Sequence, residues 1–301
     1  MRRWPAPTLS VLIYHRVLAR ADPLLPAEPD GAAFERQLRL LKRCFTLLPL
    51  GEAVRRLRDG GLPARAASLT FDDGYADNAE VALPLLQKHG LSACFFIAGG
   101  YLDGGMMWND RIIERVRRAG DAELDLTAHG LGRHPLGSAA QRCQAIASIL
   151  GSLKYLPFAQ RQASAAAIHG DAGEALMMSS AQVRALARAG MEIGGHTERH
   201  PILATQTEAE ARSDIADGKR RLEALIQAPL TLFAYPNGKA GRDYDGRHVA
   251  IVRALGFEAA VATDSGVARP GCDLFQLPRF TPWERNRLRF MLRMAQNMLR
   301  P

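Results

Sequence analysis

Short apolar runs alternate along this chain with longer stretches of helical period, and polar residues suited to chemistry fall at or just after the ends of the runs. Residues 8–14, 68–71, 92–98, 191–195, 230–235, 257–263 and 275–277 read as strands. Residues 77–89, 180–189, 208–226 and 247–255 read as helices, with Gly90, Gly190 and Gly256 placed as stops. The rhythm breaks from about 103 to 178, where helical pieces at 110–118 and 139–153 come without strand alternation. This stretch reads as an insertion over one end of a single domain spanning 1–301. Repeated strand–helix units imply a parallel sheet with helices outside. His15, Asp72, Asp73, His196, Tyr235, Pro236, Asn237, Asp264 and Arg279 each sit at a strand end. A doubly wound sheet gathers only the polar residues near its switch point. A (β/α) barrel gathers all of them on its C-terminal face. The expected fold is therefore α/β: a distorted (β/α) barrel of about seven parallel strands carrying a largely helical insertion.

Composition bounds what such a domain meets. Of 301 residues, 47% are hydrophobic, enough for a substantial core. Lys and Arg exceed Asp and Glu by 39 − 31 = 8. That excess suits an acidic polysaccharide or an anionic lipid, but no nucleic-acid-binding motif accompanies it, and a solvated basic surface is the simpler explanation. Cys44, Cys94, Cys143 and Cys272 are too scattered for a CxxC pair, and Cys94 lies in an apolar run. No run reaches the ~20 apolar residues of a membrane span. The start, MRRWPAP, lacks the apolar core and cleavage site of a signal peptide, so a cytoplasmic location is expected. The arginine- and leucine-rich end is amphipathic and suits either docking on the barrel or weak contact with a membrane surface.

Three motifs carry chemistry. In LTFDDG (69–74) two adjacent carboxylates follow an apolar strand, an arrangement that is costly unless a cation or proton compensates. One carboxylate can face a metal while its neighbour faces a water, although a turn or helix cap accounts for the same residues. In GGHTERHP (194–201), His196 and His200 stand four apart, the spacing at which two imidazoles bind one metal. The glycines before them and Pro201 after them exclude the long helix of the HExxH zinc proteases. Asp73, His196 and His200 thus form a candidate facial set with open positions. Zn2+ fits it, and Co2+, Mn2+, Fe2+ or Ni2+ are alternatives. Asp72 is then the candidate base. In LFAYPNG (232–238) a strand runs into a tight turn whose N–H groups suit a developing oxyanion.

TFDDG, HTERHP and YPNG together resemble the polysaccharide deacetylase family, carbohydrate esterase family 4, from about residue 9 to 279. YHRV (14–17) and MWND (107–110) are similar to the variant found with bacterial exopolysaccharide clusters. The resemblance implies a distorted barrel that removes N-acetyl groups from an amino-sugar polymer by metal-bound water. Asp72 matches the family's base. Asp73, His196 and His200 match its metal ligands, and the backbone N–H at Asn237 matches its oxyanion donor. Two positions depart from the pattern. Ala234 stands where many members carry an arginine that orients the base, with Arg279 or Arg16 as possible substitutes. Arg279 also stands where many carry a general-acid histidine, leaving His15 as the stand-in. Tyr235, Arg279, Trp108 and Trp283 are candidates for touching the glycan, and Asp264 for supporting the site. The rival readings are an O-acetyl esterase or small-amide hydrolase on the same fold, and a carbohydrate-binding protein that has lost catalysis. The oligomeric state is not legible.

Overall fold

The computed structural model describes residues 7–120, 122–169, 175–282, 284 and 286–299. Its strands in chain order are β1 (Leu9–Tyr14), β2 (Thr46–Leu47), β3 (Ala66–Phe71), β4 (Cys94–Ile97), β5 (Glu123–Leu126), β6 (Gly132–Pro135), β7 (Glu192–Gly195), β8 (Leu232–Ala234), β9 (Ala259–Val261) and β10 (Arg279–Phe280). The helices are α1 (Gly31–Cys44), α2 (Leu50–Asp59), α3 (Leu83–His89), α4 (Trp108–Arg118), α5 (Ala139–Leu153), α6 (Phe158–His169), α7 (Ser180–Arg188), α8 (Glu208–Ile226), α9 (Gly246–Ala254) and α10 (Arg287–Leu299). Seven parallel strands follow one another in the order β10-β1-β3-β4-β7-β8-β9, and β2 pairs with β3 beside them. The ring nearly closes on itself. Leu277 exchanges hydrogen bonds with Ala260 and Ala262 beside β9, and two residues later β10 pairs with Val11 and Leu12 of β1. The expected distorted (β/α) barrel is the observed fold.

Two apolar layers hold it together. β1 and β3 are buried along their whole length, as parallel strands covered on both faces must be. Leu9, Val11, Phe96, Leu232, Ala234 and Val261 turn inward, and Leu50, Val54 and Leu57 of α2 pack against this inner cluster. The Glu192 carboxylate, at the start of β7, accepts from the N–H groups of Leu50 and Gly51 at 2.6 and 2.9 Å, so α2 closes the N-terminal end. Leu12, Leu69, Phe71, Phe95 and Phe233 turn outward beneath the surrounding helices. With one end plugged, the C-terminal ends of the strands are left for function.

Three local expectations are corrected. The last strand is not 275–277 but β10, because Pro278 has no N–H to donate and breaks the ladder between the two neighbours. The helix expected over 77–89 begins as a wide π-type turn at Asn78–Ala82 before α3, where Pro84 removes an N–H from the α-helical pattern. The insertion is largely helical as expected, but the expected lack of strands in it does not hold: β5 and β6 form an antiparallel hairpin. Each has only four residues, too few for alternation to stand out. Around it α4, α5 and α6 pack through Trp108, Ile112, Val116, Ile146, Ile149 and Ile168, an apolar cluster separate from the barrel's own. The chain returns at Met177 and Met178, where Tyr75 bridges to Met177 and the Met178 N–H donates to Gly74.

Candidate active site

Asp72 and Asp73 follow directly on the end of β3. Asp73 takes the left-handed conformation, φ 76°, and Gly74 continues it at φ 96°. A Cβ on Gly74 would stand 2.9 Å from the Ile97 side chain, so only glycine makes this turn. The histidine loop after β7 is equally constrained. Thr197 and His200 both have positive φ, and Thr197 Oγ1 accepts from the His200 N–H at 3.0 Å. A β-branched residue in that region is strained, and such strain collects at functional sites. Buried Asp214 of α8 holds the loop in place. Its Oδ1 accepts from the N–H groups of Glu198 and Arg199 at 3.0 and 2.9 Å, and its Oδ2 accepts from Arg199 Nε at 2.6 Å. α8 crosses so closely that a Cβ on Gly218 would meet the Thr197 backbone at 2.5 Å. Gly218→Ala is therefore expected to cost about 1–3 kcal/mol and to weaken metal binding together with stability. Thermal unfolding with and without added metal reads both effects.

These two loops bring Asp73, His196 and His200 together, with one ligand atom of each within 4.8 Å of the others. Asp73 Oδ1 lies 3.4 Å from His196 Nε2 and 3.3 Å from His200 Nε2. His196 Nδ1 is 2.7 Å from the Ala234 carbonyl, to which it donates. That bond fixes the tautomer and leaves Nε2 as the free donor atom. Burial pushes the His200 imidazole down to about 3, so it is neutral, as a ligand must be. Burial pushes the Asp73 carboxyl up, but the adjoining His196 and His200 rings outweigh it, the net direction is down, and the group stays ionised. One carboxylate and two imidazole nitrogens at this spacing fit a divalent transition metal and leave positions for other ligands.

Asp72 is buried and has a dedicated partner. Arg279 Nη1 and Nη2 donate to its Oδ1 and Oδ2 at 2.7 and 2.6 Å. The same guanidinium donates from Nε to the Ala262 carbonyl at 2.7 Å and from Nη1 to Thr70 Oγ1 at 3.2 Å. Burial raises the Asp72 carboxyl; the Arg279 charge overcomes it and the net direction is down. Each carboxylate oxygen keeps a lone pair for another proton.

A cavity of about 380 Å³ opens above these groups, lined by His15, Asp72, Asp73, Trp108, His196, His200 and Asn237, with Leu150, Gly151 and Lys154 from the insertion. Asn237, φ 60°, lines the cavity, and its N–H makes no hydrogen bond to another described residue. A chain matching this plan belongs with known sequences: the family model described as polysaccharide deacetylase matches residues 59–162 and 153–260. The chain belongs to the polysaccharide deacetylase family. The matched span contains Asp72, Asp73, His196, His200 and Asn237, while His15 and Arg279 lie outside it. Among curated proteins, one named "Putative polysaccharide deacetylase YxkH" from Bacillus subtilis (strain 168) is 20% identical over 273 residues, 90% of this chain and 70% of that one. Among solved structures, IcaB from Ammonifex degensii superimposes with a TM-score of 0.63 at 20% identity, covering 96% of each chain. The Streptococcus pyogenes deacetylase PplD, in complex with acetate, gives 0.62 at 20% identity, covering 92% of this chain and 93% of that one. At that identity the likeness is one of fold.

Within this family member some expected residues lie elsewhere than the sequence suggested. Tyr235 does not reach the cavity. It shares a face with Phe233, is fully buried, and stacks on Tyr244 at 3.8 Å between ring centroids. Arg279 lies beneath Asp72, 1% exposed, and cannot touch a glycan directly. Arg16, the other candidate partner for the base, pairs instead with Asp77 at 2.7 Å. The Asp264 carboxylate turns to the Lys239 and Ala240 loop, and only its backbone carbonyl helps, accepting from the Arg279 N–H at 2.9 Å. Trp108 does line the cavity, with the buried Arg161 guanidinium 5.1 Å from its ring. Trp283 falls outside the described residues. Sequence reasoning missed Asp214, one acid among many on a polar helix, and Lys154, in a stretch with no motif.

Proposed function

We propose that the chain hydrolyses the N-acetyl amide of an amino-sugar polysaccharide, or of its precursor, and releases acetate. The observation that carries this is the meeting of Asp73, His196 and His200 beside a carboxylate gripped from below by Arg279. Asp73, His196 and His200 would hold a divalent cation, Zn2+ in the first instance, and the Lewis acidity it would supply suits polarising a carbonyl and acidifying water. Asp72 takes the proton from the attacking water, and Arg279 fixes the direction in which it does so. The Asn237 N–H donates to the carbonyl oxygen as it gains negative charge. His15, on the cavity wall, returns a proton to the leaving nitrogen, and Trp108 offers a ring face to the sugar. The resemblance to exopolysaccharide deacetylases favours a glycan of that class as substrate.

The test is acetate release from N-acetylglucosamine oligomers, run beside an O-acetylated glycan. Chelation is expected to abolish release and added Zn2+ or Co2+ to restore it. Asp73→Ala and His200→Ala are expected to lose bound metal by elemental analysis along with activity. Activity that persists in a metal-free preparation removes the cation from the mechanism. Release from the ester alone changes the substrate.

A further inference from the structure

α10 presents two apolar side chains to solvent. Phe290, Met294 and Asn297 form its buried stripe, with Phe290 edge-on to Phe280. Leu288 and Leu292 each lie two residues from Phe290, about 200° round the helix, and so point away from the barrel. They are 80% and 60% exposed, two of the three exposed large hydrophobic side chains among the described residues. The outer face of a docked helix is ordinarily polar. Here it carries leucines beside Arg287 and Arg289.

Next to them, α10 and α1 enclose a cleft of about 260 Å³. Ala33, Leu40 and Phe290 give it an apolar floor, and Arg36, Arg39, Arg43 and Arg287 surround it. Arg39 pairs with Glu35 and Arg293 with Glu284. Arg36, Arg43, Arg287 and Arg289 carry no ion pair among the described residues. Guanidinium groups around an apolar floor suit a phosphate ester attached to hydrocarbon.

We infer that α10 and its cleft with α1 dock on an anionic lipid surface, with Leu288 and Leu292 entering the hydrocarbon boundary and the arginines meeting lipid phosphates. Nucleic acid offers the phosphates but no hydrocarbon for the leucines. Charge complementarity, together with the leucines, favours an acidic bilayer over a neutral one. No helix among the described residues is long and apolar enough to cross a membrane, so the mode is lying on the surface. The location bears on use. α1 and α10 follow β1 and β10 and therefore start at the C-terminal end of the barrel. Gln37 of α1 donates to the Pro282 carbonyl at 3.2 Å, and Pro282 lines a second cavity with His15 and Asn237. The docking surface thus borders the catalytic mouth.

Co-sedimentation with phosphatidylcholine vesicles, with and without phosphatidylglycerol, tests this independently of the reaction. The intact chain is expected to bind only the mixed vesicles, and less tightly as salt rises. Leu288→Asp combined with Leu292→Asp is expected to weaken binding more than tenfold. Arg36→Gln and Arg43→Gln should each weaken it about fivefold. All of these variants should keep the unfolding temperature and the acetate release from soluble oligomers. The inference is overturned if the intact chain ignores acidic vesicles, or if the leucine variant binds them as well as the parent. It is equally overturned if the leucines hold together a second copy, seen as a dimer that the leucine variant dissociates while vesicle binding stays absent.

Discussion

Asp72→Asn is expected to lower acetate release by about 10²- to 10⁴-fold, the usual contribution of a positioned general base, while the protein keeps its metal. The amide has nearly the shape of the carboxylate and leaves Asp73, His196 and His200 untouched. It cannot take a proton, and one of its two ends no longer accepts from Arg279, which grips both oxygens in the native chain. The effect should fall on kcat more than on KM, because proton transfer belongs to the transition state. Metal content measured beside the kinetics separates lost chemistry from lost cation. Full activity in this variant would remove Asp72 from the mechanism.

Arg279→Met should damage both stability and chemistry. Its guanidinium and the Asp72 carboxylate are 0% and 3% exposed. Removing one partner strands the other charge out of water, at a cost of about 3–5 kcal/mol. Urea unfolding measures the loss, and the double variant with Asp72→Asn should recover part of it because no bare charge remains. The pH dependence follows the same pair. In the native chain the Asp72 carboxyl is lowered, chiefly by the Arg279 charge working against burial. The stability it contributes is present above the ordinary carboxylate range and is lost as pH falls through the lowered value. Without Arg279 burial dominates, the carboxyl rises, and the acid limb of kcat/KM moves to higher pH. An unchanged limb together with unchanged stability would mean the bidentate contact does no such work.

What the sequence made legible follows from how local each signal is. The fully buried β1 (LSVLIY) and β3 (AASLTF) appear as runs without a charged residue. TFDDG and the four-residue spacing of His196 and His200 pointed to the residues that do converge. Contacts set by distant segments were not legible. The sequence offers Arg279 both as a substitute partner for the base and as a contact to the glycan, because nothing local distinguishes a guanidinium under a carboxylate from one at a cavity mouth. The YPNG motif points Tyr235 at the cavity because the rest of the motif lies there. Strand alternation instead puts it on the Phe233 face and out of reach. Asp214 is silent in sequence, since its role depends on where α8 crosses the histidine loop.

Asp72 and Arg279 are separated by 207 positions, with β3 near the start of the barrel and β10 at its close. A ribosome adding 5–20 residues per second needs roughly 10–40 s to travel that far. Throughout that interval the emerging polypeptide carries a carboxylate whose counter-charge has not yet been made. The barrel cannot seal around Asp72 until its final strand arrives, so an incomplete nascent chain has no finished reaction centre.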